Sequence, residues 1–244
     1  MNGGVHTVSP GHAVSVAEGY ARWAPTYDRS ANPLLAREER HLWPLFAGVG
    51  KKRLLDVACG TGRWLEKLTS QVQSAAGVDL SRAMLQVAKT KSGVAGKLVE
   101  ASGEHLPFRT QCFDLLICSF ALGHIHALGA LVDELSRVAR SGANLFVTDL
   151  HPEAHAQGWR VGFRDAWETL HIEVFPRSSD EYIQAFSRAR FECVRHLPLW
   201  LGEPEMPIFA RANKAAFFES ACRVPAVLCF HFRKSGSPTG MRDS

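Results

Sequence analysis

Two spacings of hydrophobic residues alternate along this chain. Between Pro33 and Phe46, Leu34, Leu35, His41, Leu42, Leu45 and Phe46 make one mostly apolar helical face, with Arg37, Glu38, Glu39 and Arg40 outside. A shorter helix over Ser15 to Trp23 precedes it and is broken by Pro25, and Gly48 and Gly50 end the second helix. Short apolar runs then read as buried strands at 53–57, 75–79, 97–101, 113–118 and 144–148. Helices are predicted at 62–69, from a Ser81 cap to Thr90, and where Leu128, Leu131, Val132, Leu135 and Val138 recur at helical spacing. Strands alternating with helices predict a parallel sheet covered on both faces. After Asp149 the pattern loosens. Residues 151–177 are rich in Trp and His, followed by a predicted helix at 179–189 and strands at 191–197 and 224–232. Residues 1–12 and 234–244 are expected to fray.

Composition narrows the function classes. The 244 residues suit one domain, and 46% apolar with 21% charged residues is ordinary for a globular protein. A net charge of +4 without a dense basic run does not call for a nucleic-acid partner. No apolar run reaches membrane-spanning length, and the first residues lack the layout of a signal peptide. None of the six cysteines forms a CxxC pair, which argues against a zinc ribbon and suits a reducing cytoplasm, the expected location.

The chemistry concentrates where the first predicted strand ends. Leu54-Leu55-Asp56-Val57-Ala58-Cys59-Gly60-Thr61-Gly62 is a buried run, an acid and a small-residue turn, and Asp79 closes the second strand. Glycines let a ligand approach the backbone, and an acid at the second strand's end can accept hydrogen bonds from ribose hydroxyls. The turn alone is compatible with NAD, FAD or S-adenosylmethionine. Leu65 occupies the place of the third glycine of the dinucleotide fingerprint.

The ordered set of motifs resembles the class I S-adenosylmethionine-dependent methyltransferases, in particular the group with the ubiquinone/menaquinone-biosynthesis and small-molecule methyltransferases. The resemblance is carried by residues 55–62, by Val78-Asp79-Leu80-Ser81-Arg82-Ala83-Met84-Leu85, by Glu104-His105-Leu106-Pro107-Phe108, by 113–125 and by 137–143, with the N-terminal segment 20–28. Departures are Ala58 for the usual first glycine, Ser102 where the group often has an aspartate, and Ser141-Gly142-Ala143 for Pro-Gly-Gly. The resemblance implies a Rossmann-like, doubly wound α/β sheet of seven strands, mostly parallel with the last antiparallel. It also implies one domain over 1–244: a helical lid (13–50), a cofactor core (51–150), an acceptor cap (151–189), two final strands (190–233) and a tail.

By the same resemblance, the Ala58–Gly62 backbone, including Cys59 and Gly60, lies against the methionine end of S-adenosylmethionine, with Asp56 bracing the turn or the amine. Asp79 grips the ribose, Leu80 and Met84 pack on adenine, and Ser102, Gly103 and Glu104 border its edge. Ser119 and Phe120 flank the methionine portion, and Tyr20 and Tyr27 close over the sulfonium. A base is needed only if the acceptor loses a proton; His124 and His151 lead, with His155 and His171 behind. Trp159, Trp167 and Trp200 are candidate walls of an aromatic acceptor pocket. No metal is expected, because His151 and His155 lack a nearby third ligand. The strand-four segment Cys118-Ser119-Phe120-Ala121 lacks the motif of nucleic-acid amino-methyltransferases. The expected activity is methylation at O, N or C of a small, aromatic or partly apolar metabolite, yielding S-adenosyl-L-homocysteine, by a monomer or homodimer. The rivals are a non-catalytic nucleoside-binding regulator and a nicotinamide-dependent oxidoreductase.

Overall fold

The computed structural model describes residues 6–7 and 11–236. Its central sheet has seven strands: β1 (Arg53–Val57), β2 (Ser74–Asp79), β3 (Leu98–Glu100), β4 (Phe113–Ser119), β5 (Ala139–Leu150), β6 (Phe191–Trp200) and β7 (Pro225–Lys234). Their order is β6-β7-β5-β4-β1-β2-β3. β1 to β5 pair in parallel, and β7 runs antiparallel to both β5 and β6. This is the Rossmann-like sheet, with its last strand reversed.

The strands are continuous apolar runs because both faces are covered. One face packs under α5 (Leu128–Val138) and α7 (Ser179–Arg188), where Leu131, Leu135 and Phe186 meet Leu116, Phe230 and Phe232. The other packs under α2 (Pro33–Leu42), α3 (Arg63–Leu68) and α4 (Arg82–Ala88), where Leu34, Leu42, Trp64, Leu65 and Leu85 meet Leu54, Ile117 and Phe146. Gly77 in β2 explains the missing third glycine. A Cβ there would lie 2.4 Å from Leu65 Cδ1 and 2.9 Å from Cys59 Sγ. Close approach of helix to strand is therefore made by a glycine in the strand, and the large side chain sits on the helix.

Several boundaries differ from the sequence expectation. The helix begun at Pro33 is α-helical only to Leu42 and continues as a 3-10 turn over Trp43–Phe46, because Pro44 has no N–H to donate. Glu38, expected on the outer face, is fully buried; with Leu34 and Leu42 it lies at i, i+4 spacing on the inner stripe. β5 starts five residues early and crosses Gly142 at φ +77°. β6 continues through Pro198, which its place at the sheet edge permits.

The expected frayed N-terminus is partly ordered: His6–Thr7 pairs with Trp159–Arg160, and His12–Val14 pairs in parallel with Leu170–Ile172. The stretch after Asp149, without a clear pattern in sequence, holds α6 (Pro152–Ala156) and a hairpin of Gly162–Arg164 against Thr169–Ile172. N-terminal strand and hairpin form a small second sheet beside α1 (Val16–Trp23). Lys234, assigned to the tail, ends β7 and donates to the Ala189 carbonyl at 2.8 Å. Residues 237–244, the rest of the predicted disordered tail, lie outside the described residues.

Candidate functional site

The carboxyl ends of β1, β2 and β4 stand side by side, where an open α/β sheet offers a crevice for ligands. A cleft of about 870 Å³ opens there, within the usual range for small-molecule sites. Its floor is the turn after β1. Ala58, Gly60 and Gly62 all have left-handed φ, at +55°, +55° and +76°. Gly60 and Gly62 adopt this freely, whereas Ala58 carries a Cβ in a region that disfavours one. The replaced glycine is thus more than a change of size.

The turn is tied down by Cys59 N–H donating to the Val78 carbonyl at 2.9 Å and Gly62 N–H to the Cys59 carbonyl at 2.8 Å. Asp79 joins in: one carboxylate oxygen accepts from Gly60 N–H and the other from Ser81 N–H, both at 2.7 Å. Burial nevertheless raises Asp79 above the usual carboxylate range, the backbone donors opposing it.

Thirteen expected site residues line this cleft. Ala58, Gly60 and Asp79 form its floor, and Leu80, Met84, Ser102, Gly103 and Glu104 form one end. Ser119, Phe120, Tyr20, Tyr27 and His124 surround the other. Phe120 is held at φ +50° while its N–H donates to the Thr148 carbonyl at 2.8 Å. Such strain at a strand end is common at functional sites.

Four expected residues do not line the cleft, although Cys59 and Gly62 belong to the turn at its floor. Asp56, Cys59 and Gly62 are not among the lining residues. Asp56 lies inside β1, 2% exposed, with Oδ2 buried and unpartnered, and burial raises it to about 8. Burial likewise raises the Cys59 thiol far above its ordinary value, so it is an inert packing group. His151 caps α6, its Nδ1 accepting from Glu153 N–H at 3.2 Å, and stands away from the cleft. The tryptophans do not form an acceptor wall: Trp159 is core, Trp167 is 88% exposed and Trp200 is 45% exposed. Among the described residues no group of three or more His, Cys, Asp or Glu could hold a metal ion.

The N-terminal segment is pinned to the turn. Thr61 Oγ1 donates to Asp28 at 2.6 Å, and Lys91 pairs with the same carboxylate at 2.8 Å. Tyr20 and Tyr27 are thereby held over the cleft, clamped by Trp23 at ring distances of 6.1 and 4.8 Å, with Phe163 stacked on Trp23 at 5.0 Å. Burial raises both phenols, Tyr27 to about 12.

His124 follows β4 on a short 3-10 turn fixed from both sides. Gly123 N–H donates to Asp149 at 2.5 Å and Phe175 N–H to the Gly123 carbonyl at 2.6 Å. Arg177 donates to the Leu122, Ile125 and His126 carbonyls at 3.1, 2.7 and 2.9 Å. Burial raises Asp149 to about 6. It lowers His124 below the usual imidazole value, against a hydrogen bond to Glu173.

Sequence reasoning missed the polar cluster beneath the turn. Glu38 accepts from Arg63, from Ser119 Oγ at 2.7 Å and from Thr148 Oγ1 at 2.5 Å, joining α2, α3, β4 and β5. The available signal was an acid at an inward position of an amphipathic helix.

The residues fit a nucleoside cofactor. The Cβ position of Gly60 meets nothing within 4 Å, leaving the turn open to a ligand, and Asp79 stands beside it with oxygens able to take further donors.

Residues 55–147 match the methyltransferase domain family. The chain is 31% identical to the malonyl-[acyl-carrier protein] O-methyltransferase of Legionella pneumophila over 66% of its own length and 58% of that protein's. It is 33% identical to the demethylmenaquinone methyltransferase of Lactiplantibacillus plantarum over 50% of its length and 56% of that protein's. It thus spans somewhat more than half of each relative. A crystal structure described as a putative S-adenosylmethionine-dependent methyltransferase from Listeria monocytogenes shares the fold with TM-score 0.65 and 17% identity, over 83% of this chain and all of the other. Fold, ordered motifs and these matches define an α/β protein of the Rossmann-like methyltransferase type. The methyltransferase domain at 55–147 and these relatives support a class I S-adenosylmethionine-dependent methyltransferase, and the cofactor of that class is S-adenosylmethionine.

Proposed function

We propose that this protein is an enzyme that moves the methyl group of S-adenosylmethionine to an O, N or C nucleophile of a small, aromatic or partly apolar metabolite. The observation that carries this is one continuous cleft. It joins Asp79 and the open Gly60 turn, suited to a nucleoside, to an aromatic and histidine-bearing end at Tyr20, Phe120 and His124. When bound, S-adenosylmethionine supplies an electrophilic methyl on a cationic sulfur.

The chain's own residues bind and orient. Asp79 takes the ribose hydroxyls. Leu80 and Met84 cover the adenine face, and Ser102, Gly103 and Glu104 meet its edge. The Gly60 backbone, Ser119 and Phe120 border the methionine portion. Tyr20 and Tyr27 turn electron-rich faces toward a cation and exclude water. Such placement can supply about 7–11 kcal/mol of a displacement barrier by proximity and orientation alone. In this reading residues 13–50 form a lid, 51–150 hold the cofactor and 151–189 shape the acceptor end. Of the relatives named above, the demethylmenaquinone methyltransferase supports a small, partly apolar acceptor, whereas the other is named for a malonyl group borne on acyl-carrier protein. No helix among the described residues is long and apolar enough to cross a membrane.

The test is transfer of label from S-adenosylmethionine tritiated on the methyl to a small-molecule cell extract. Enzyme-dependent labelling of an organic product supports the reading. Binding of S-adenosylhomocysteine without any transfer would favour a non-catalytic nucleoside-binding protein.

A further inference from the structure

His124 has both ring nitrogens committed, and the commitments fix its proton. Nδ1 lies 2.8 Å from the Glu173 carbonyl oxygen. A carbonyl only accepts, so Nδ1 carries the hydrogen. Nε2 therefore holds a lone pair, and at 2.9 Å it takes the Tyr20 O–H. The two rings meet edge to face at 5.3 Å, and Trp23 and Tyr27 pack against the phenol. With its hydrogen directed at the histidine, the Tyr20 oxygen is a hydrogen-bond acceptor toward any other group that reaches it. Both residues line the cleft. This arrangement leaves Nε2 reachable through Tyr20, not as a direct base.

We propose that Tyr20 is a catalytic residue that takes a proton from the methyl acceptor, and that His124 relays by receiving Tyr20's own proton. The acceptor is then one that sheds an O–H or N–H proton, such as a phenol, an enol or an amine. This rests on the methyltransferase reading. In the step, the acceptor's proton passes to Tyr20 Oη as the Tyr20 proton passes to His124 Nε2. The electron pair left on the acceptor forms the new bond to the methyl carbon, and the pair of the breaking carbon–sulfur bond stays on sulfur. The positive charge ends on the imidazolium, whose Nδ1–H bond to Glu173 strengthens as it forms. The groups facing Tyr20 are Tyr27, Asp149 and Asp79, and either carboxylate, when ionised, favours a nearby cation. Gly123 N–H on Asp149, Phe175 N–H on Gly123 and the three bonds from Arg177 hold the loop that presents the imidazole.

Two readouts test the relay. The first needs no acceptor: nitrogen–proton spectra of histidine-labelled full-length protein bound to S-adenosylhomocysteine, with His124 assigned by its loss in His124→Asn. The expected result is a neutral Nδ1–H tautomer whose Nε2 resonance moves in Tyr20→Phe. An Nε2–H tautomer overturns the proposal whether or not turnover is seen. The second is label transfer to cell extract by wild type, Tyr20→Phe and His124→Asn. Each variant should lose about 10²–10⁴-fold in rate, with a far smaller loss of S-adenosylhomocysteine affinity. Wild-type rate should rise with pH through a value below the ordinary imidazole range and should slow in heavy water, and His124→Asn should flatten that pH limb. Full rate in Tyr20→Phe overturns the relay and leaves the methyltransferase reading standing. Binding without transfer by wild type sinks both, and failure to bind S-adenosylhomocysteine sinks the cofactor reading itself.

Discussion

Replacing Gly77 by alanine tests the account of how helix and strand pack behind the turn. The new methyl would stand 2.4 Å from Leu65 Cδ1, 2.9 Å from Cys59 Sγ and 3.2 Å from Leu98 Cδ2. Leu65 and Cys59 are buried, 0% and 8% exposed, so neither has open space to move into. Overpacking of this kind costs about 1–3 kcal/mol. The less flexible unfolded chain offsets about 0.4–1 kcal/mol of it. A net loss of about 1–2 kcal/mol corresponds to roughly 2–8 °C in melting temperature for a chain of this size. Leu65→Ala alone should cost about 2–5 kcal/mol through the cavity it leaves. The double variant should be less damaged than the sum, by about 0.5–3 kcal/mol, because the added methyl enters the vacated space. The assay is urea and thermal unfolding followed by circular dichroism for all four proteins. An unchanged Gly77→Ala midpoint, or strict additivity in the double variant, would refute the packing argument.

Ala58→Gly should relieve the left-handed strain at φ +55° and raise stability by up to about 1 kcal/mol, after the entropy of the freer unfolded chain; a lower urea midpoint would contradict this. Glu38→Ala strands the buried Arg63 cation and should cost about 3–5 kcal/mol, more than Glu39→Ala, which breaks a part-exposed pair with Lys67 on the same helix, both read by urea unfolding. Burial raises Asp56 to about 8, so the folded protein holds a proton that the unfolded chain releases above about pH 4. Its contribution therefore weakens stability as pH rises from about 4 to 8. Unfolding of Asp56→Asn at pH 5 and pH 8 should show a shallower decline than wild type, and an identical decline would remove Asp56 as its source.

The central architecture was legible because each parallel strand is an unbroken apolar run and each helix repeats at its own period. Asp79 and the Ala58–Gly62 turn could be placed because a strand end and a left-handed turn leave local signatures. What stayed hidden depends on distant partners. Glu38 reads as a surface acid until Arg63, Ser119 and Thr148 are brought to it across 25 to 110 residues. His151 and His124 look alike in sequence, since both follow a strand at the sheet's carboxyl edge. One caps a helix outside the cleft, and the other is turned inward by contacts from 173–177. The hairpin between Gly162 and Ile172 is set by pairing with His12–Val14, a partner about 160 residues away that no local pattern announces.

The most direct test of the central claim is calorimetric titration of the full-length protein with S-adenosylhomocysteine and, separately, with NADH. The account predicts saturable one-to-one binding of S-adenosylhomocysteine, greatly weakened in Asp79→Ala, and no binding of NADH. Saturable NADH binding with no response to S-adenosylhomocysteine would contradict it.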